Sequence, residues 1–123
     1  MLVHIKELFE KPVRGKFAYP AFNTINFETT RGIIDAAEEM GTPVIIETTE
    51  STVKYAGLET IFETVASLAI KSTVPIVLHY DHGKEADHLK RAIQLGYSSV
   101  MIDHSALDLC LLYTSPSPRD RQK

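Results

Sequence analysis

Two joints of the same construction limit the folds open to this chain. "EEMGTPVII" (Glu38–Ile46) and "IQLGYSSVMI" (Ile93–Ile102) each end a helical pattern on a glycine, and a continuous apolar run follows within a few residues. A glycine just past the last turn accepts the left-handed backbone that closes a helix. An apolar run without polar alternation marks a strand covered on both faces. Three such runs stand out, Pro43–Ile46, Pro75–Leu78 and Ser99–Ile102, with a weaker fourth from Phe17 to Phe22 that ends at Asn23. Apolar residues at helical spacing lie between them. Leu58, Ile61, Phe62, Val65, Leu68 and Ala69 form one stripe; Phe27, Ile33, Ile34, Ala37 and Met40 form a second; a third runs from Glu85 through Leu89 and Ile93 to Leu95. A short helix at about His4 to Glu10 precedes them all.

Short connections between alternating strands and helices require right-handed crossovers and a parallel sheet. A doubly wound sheet and a (β/α)8 barrel share this pattern. Polar residues recur after every strand: Asn23, Glu47 to Glu50, Asp81-His82 and Asp103-His104. In a barrel all of these converge on one mouth, whereas in an open sheet only those near the switch point meet. The barrel is therefore the expected architecture. A complete one takes roughly 250 residues, and this chain has 123. The expected fold is thus α/β, the N-terminal part of a (β/α)8 TIM barrel with about four βα units, truncated, over residues 1–108. From Leu109 the text becomes "LCLLYTSPSPRDRQK", where Pro116 and Pro118 among serines break regular structure. Residues 109–123 read as a tail, either disordered or non-native to the domain.

The chemistry gathers in "PIVLHYDHGK" (Pro75–Lys84). A core strand runs into His79, Tyr80, Asp81 and His82, and the glycine after them is expected to permit a change of direction. Strict alternation would send Asp81 and His82 to opposite faces, so the strand is expected to end at about Asp81, with Gly83 allowing the break. An imidazole among carboxylates with no thiol nearby suits Zn²⁺ or another borderline divalent ion. His82 is the ligand candidate. His79 is expected within the strand packing as a satisfied polar group, His88 in solvent on the third helix, and His104 at the surface or supporting the site. A hydrogen-bonded structural Asp-His pair is the bland alternative. With a net charge of -3 and no basic stripe, nucleic acid is not expected as a ligand. No apolar run approaches membrane-spanning length, and the single Cys110 has no internal disulfide partner. A cytoplasmic protein is expected.

"YPAFNTINFETTRGIIDAAEEMGTPVII" and "LHYDHGKEADHLKRAIQLGYSSVMIDHS" resemble the N-terminal portion of the class II, metal-dependent fructose- and tagatose-bisphosphate aldolases. The D-H-G after an apolar strand, with S-V-M-I-D-x-S at the next, carries the likeness. It implies that Asp81 is the catalytic acid, exchanging a proton with the aldehyde-derived oxygen. It makes His82 the first of three histidines holding zinc, and Asp103 a carboxylate that in some members touches a second metal position. Asn23 and Thr49 fall where substrate-contacting polar residues stand. Thr49 replaces a usual Ser, Glu47 puts an acid where a neutral residue is usual, and His104 stands where small or apolar residues are common.

The implied reaction is reversible aldol cleavage of fructose- or tagatose-1,6-bisphosphate to dihydroxyacetone phosphate and glyceraldehyde 3-phosphate, a lyase step of glycolysis and related carbohydrate metabolism. Zinc would act as Lewis acid. Burial would have to raise the Asp81 pKa against the pull of that cation. The implied partner is a sugar bisphosphate, with neither nucleic acid nor membrane, and the family is usually homodimeric or homotetrameric. The remaining zinc histidines and the glycine-rich phosphate loops fall beyond the matching segment, so this chain is expected to be inactive alone. The alternatives are a non-catalytic truncated product and another metal-dependent, phosphate-handling barrel enzyme, for example a hydrolase with Asp103 as base.

Overall fold

Alternating helical stripes and apolar runs become alternating helices and strands in the computed structural model, which describes residues 1–108 without the side chains of Glu10 and Val13. The expected tail from Leu109 onward, with Cys110, lies outside the described residues. In chain order the elements are α1 (Ile5–Gly15), β1 (Ala21–Asn23), α2 (Phe27–Met40), β2 (Val44–Thr48), α3 (Glu50–Ala56), α4 (Leu58–Ala69), β3 (Ile76–Gly83), α5 (Ala86–Leu95) and β4 (Ser99–Ile102). The strands form one sheet in the order β1-β2-β3-β4, and every pairing is parallel. All four carboxyl ends therefore lie along the same edge. Register places Asn23 beside Glu47, Glu47 beside His79, and His79 beside Ser99.

The joints close as their glycines predict. Gly41 (φ 60°) and Gly96 (φ 113°) take the left-handed conformation at the ends of α2 and α5. At the start of α2, Asn26 Oδ1 accepts from Thr29 N at 2.9 Å and Asn26 N donates to Thr29 Oγ1 at 3.2 Å, a reciprocal cap for otherwise unpaired N–H groups. His4 is used in the same way at α1: its Nδ1 accepts from Lys6 N at 3.2 Å. That places it away from the strand carboxyl ends.

The sheet is covered differently on its two faces. Val44, Ile46, Ile76, Leu78 and Tyr80 point toward the helices and pack with Ile34, Val65, Leu68, Leu89 and Ala92. Ile45 and Val77 point the other way and are covered by Leu8 of α1, with Val3, Ile5 and Tyr19 around it. Leu2 bridges to Ile76 at the strand's start, so the N-terminal segment closes the sheet at the end opposite the strand tips. Burying each such side chain contributes about 1.5–3 kcal/mol. The core is therefore concentrated on the helix side and at the N-terminal ends, which leaves the carboxyl ends of the inward face to polar groups.

Several expectations are corrected. Helix α1 continues past Glu10 to Gly15 with Pro12 inside it. Helix α3 was not legible, because it buries only Thr52 and Val53 and so shows no stripe. Ile93, Phe27 and Met40 are exposed; α5 buries Leu89 and Ala92, and Met40 borders an open groove along β1. Strand β3 does not end at Asp81 but runs to Gly83. Among the described residues no helix is long and apolar enough to cross a membrane.

Gly83 is needed for closeness. A Cβ there would lie 2.4 Å from Leu89 Cδ2 and 2.9 Å from the Met101 carbonyl oxygen. Gly83→Ala is expected to lower stability by about 1–3 kcal/mol through overpacking. Gly32→Ala, inside α2 with nothing within 4 Å, is expected to raise it by about 0.5–1 kcal/mol. Thermal melts of the two variants beside wild type check the opposite signs.

Candidate active site

A register slip at the end of β3 builds the site. Tyr80 pairs with Val100, but the next pairing is Gly83 with Ile102, three steps along β3 against two along β4. The extra residue makes a bulge, which re-aims side chains. The left-handed backbone falls on His82 itself (φ 50°) rather than on Gly83. The turn expected of the glycine is thus made by the histidine, and Gly83 supplies the close approach to Leu89 and Met101. As a result Asp81 and His82 meet instead of diverging, with His82 Nε2 lying 3.4 Å from Asp81 Oδ2.

His82 Nδ1 donates to Asp103 Oδ2 at 2.7 Å, which fixes the tautomer and leaves Nε2 as the nitrogen with a free lone pair. Asp103 is itself held: its Oδ1 accepts from the Ser105 hydroxyl at 2.6 Å and from Ser105 N at 3.0 Å. The Ser105 hydroxyl, then His82, hold the Asp103 carboxyl far below the usual carboxylate range. The bond to Asp103, then the charge of Asp81, raise the His82 imidazole above its ordinary value.

On the inward face one ligand atom each from Glu47, His79 and Asp81 lie within 4.8 Å of one another. His79 is fixed on its other nitrogen, Nδ1, by the Ser99 hydroxyl, while Nε2 stands 3.7 Å from Asp81 Oδ1. Burial lowers the His79 pKa, partly offset by Asp81. Burial first, and repulsion from Asp81 second, raise the Glu47 carboxyl. This trio is an oxygen and imidazole donor set without thiolate, which fits a hard or borderline divalent ion; His82 and Asp103, the ligand candidates from sequence, stand outside it, with His82 joined to it through Asp81.

Of the residues singled out from sequence, Asp81, His82 and Asp103 are in direct contact. Thr49 opens α3 with its hydroxyl 2.7 Å from Ser51 Oγ, and it lines a cleft of about 470 Å³ with Ser51, Lys54, His82 and Lys84. Asn23 is exposed and sits two strands from β3, next to Glu47. It also borders a larger groove, which is apolar and follows β1, Phe22, Ile33 and Met40, away from the histidines. His88 is not solvated as expected: it is half-buried and faces Glu50 Oε2 at 3.3 Å. Sequence reasoning placed Glu50 among the polar residues after β2 and Ser99 and Ser105 in the S-V-M-I-D-x-S motif, but gave none of the three a role, since their partners come from other strands or turns.

Residues 3–110 match the family described as Fructose-bisphosphate aldolase class-II, and the chain belongs to that family. It is 41% identical over 107 residues to the fructose-bisphosphate aldolase of Geobacillus stearothermophilus, covering 85% of this chain and 37% of that protein. It is 43% identical over 107 residues to the 6-phospho-5-dehydro-2-deoxy-D-gluconate aldolase of Halalkalibacterium halodurans, with the same coverage. Among solved structures it superposes on the YdjI aldolase of Escherichia coli K12 with a TM-score of 0.81 at 36% identity, covering 88% of this chain and 41% of that one. The four-stranded parallel sheet is thus a portion of the aldolase TIM barrel, and the chain spans about 37% of the length of those curated relatives.

The His82–Asp103 bond has a pH signature. Because the folded His82 pKa is raised, its stabilisation is complete below the unfolded value of about 6.5 and is lost as pH rises through the raised value. His79, with a lowered pKa, acts in the opposite sense, so the two must be separated by difference. Asp103, with its lowered pKa, contributes fully only above its unfolded value of about 4, so the melting-temperature gap between wild type and Asp103→Asn is expected to be largest between about pH 4 and 6.5 and to shrink as pH rises above that window. A gap that is flat, or that widens with pH, above that window would contradict the assignment.

Proposed function

We propose that this chain forms the front of the active site of a zinc-dependent ketose-bisphosphate aldolase, which cleaves fructose- or tagatose-1,6-bisphosphate reversibly to dihydroxyacetone phosphate and glyceraldehyde 3-phosphate. The observation that carries the reading is His82, held on Nδ1 by Asp103 and facing Asp81 with Nε2, at the shared rim of the strands. His82 would hold the metal through Nε2. Asp103 would orient that ring from its Nδ1 side and, as in some members of the family, reach a second metal position. When bound, zinc supplies Lewis-acid polarisation of the ketose carbonyl.

Asp81 would hold the proton exchanged with the aldehyde-derived oxygen. Support for this is its place between the two imidazoles of His79 and His82 and beside Glu47, within proton-transfer reach of the rim. Asn23 and the Thr49 hydroxyl would bind and orient substrate oxygens at the rim. The reading places the protein in glycolytic or related sugar metabolism in the cytoplasm, as a homodimer or homotetramer, with catalysis depending on residues outside this chain.

A second substrate has a specific observation in its favour: the relative named 6-phospho-5-dehydro-2-deoxy-D-gluconate aldolase is as similar as the fructose-bisphosphate enzyme, 43% against 41%. Chimeras in which residues 3–108 replace the matching part of each relative test both readings. The fructose-bisphosphate chimera is expected to cleave fructose or tagatose bisphosphate and to stop on chelation. Asp81→Ala is expected to cost about 10²–10⁴ in kcat, and His82→Ala to lose bound zinc by elemental analysis. Folded chimeras that turn over in the presence of chelator, or that cleave only the phosphogluconate-type substrate, would refute the first reading.

A further inference from the structure

Glu50 takes no part in the reaction just described, yet its carboxylate ties together three chain segments. Oε1 accepts from Lys84 N at 3.1 Å and from Glu85 N at 3.3 Å, and Oε2 meets His88 Nδ1 at 3.3 Å. The side chain is 12% exposed. Burial pushes its pKa up, but the Lys84 and Glu85 N–H groups and His88 outweigh it, so the carboxyl stays ionised. Lys84 and Glu85 directly follow the D-H-G segment. Glu50, from the neighbouring strand's end, thus holds the backbone two residues past His82.

His82 needs such support. A left-handed backbone costs a residue with a Cβ roughly 1–2 kcal/mol and persists only where the surroundings fix it. Upstream, Tyr80 is fixed in the sheet ladder. Downstream, Gly83 O accepts from Asp103 N at 2.7 Å, and Glu50 holds the next two N–H groups.

We infer that Glu50 is a positioning residue: by anchoring the Lys84–Glu85 backbone it sets the orientation of the His82 ring between Asp81 and Asp103. The importance of that orientation for catalysis rests on the reading of His82 as the metal-holding residue. Reach matters more than charge here. Aspartate would fall short by one C–C bond, about 1.5 Å. Glutamine keeps an oxygen for the two N–H groups and turns its amide toward His88, whose Nδ1 accepts in the other tautomer.

The test uses the full chain labelled with ¹⁵N, at one fixed pH, with two readouts: hydrogen exchange of the Lys84 and Glu85 amides, and the ring ¹⁵N resonances of His82. Glu50→Gln is expected to match wild type in both. Glu50→Asp is expected to speed exchange at both amides about 10–100-fold, the equivalent of losing hydrogen bonds to a charged acceptor, and to move the His82 resonances. His88→Ala should do the same to a smaller degree, and it decides the matter if Glu50→Asp does not fold. Glu59→Ala is the control, since it cuts the Glu59–Arg91 contact of 2.9 Å between α4 and α5; it should lower the melting temperature and leave His82 unmoved. Unchanged His82 resonances in Glu50→Asp or His88→Ala, a shift in Glu50→Gln alone, or an equal shift in Glu59→Ala would each overturn the inference. Titrating Zn²⁺ into the fructose-bisphosphate chimera tests the other reading separately: His82 lines that ignore zinc there refute metal binding and leave the anchoring result standing.

Discussion

In a regular strand consecutive side chains leave the sheet on opposite faces, and the candidate site rests on the backbone kink that prevents this at Asp81 and His82. The kink is costly by itself, since it puts a histidine in the left-handed region and skips a rung of the ladder. It is held on three sides. Gly83 lets Leu89 and the Met101 carbonyl come close, Asp103 N bonds back to Gly83 O, and Glu50 takes the two N–H groups beyond. Relaxing any one of these would return the two side chains toward opposite faces.

The sheet divides its chemistry along its length. Near the strand starts, Ile45 and Val77 are sealed by Leu8, so the inward face is dry there. Two residues further on, the same face carries Glu47 and His79. A carboxylate next to that apolar floor loses hydration, which is why burial dominates the upward shift of Glu47 and the downward shift of His79. At the rim, where water reaches, hydrogen bonds dominate instead, and they favour the charged forms of His82 and Asp103. Groups a few ångströms apart are therefore driven in opposite directions, by burial on the floor and by hydrogen bonds at the rim.

How much of this could be read from sequence follows the range of the interactions. The order of strands and helices was legible because continuous apolar runs and the Gly41 and Gly96 joints are local signals. The gathering of Asp81, His82 and Asp103 at one edge followed from parallel pairing. The bulge was not legible, since it depends on how Ile102, nineteen residues further on, pairs with Gly83. His88 looked solvated because helical periodicity reports only its own helix, whereas the carboxylate that reaches it comes from Glu50, 38 residues earlier. Helix α3 was hidden for the same reason, with too few buried side chains to leave a pattern.

The three-residue strand β1 bears on behaviour in concentrated solution. It follows Pro20, which has no N–H to offer, and all three of its residues are exposed. A long flat border would recruit foreign strands rung by rung, but so brief a border gives an incoming chain little to template on. Self-assembly through this edge would accordingly be driven by greasy side chains such as Phe22 and Met40 rather than by strand addition to β1, and should respond to detergent more than to agents that cap backbone amides.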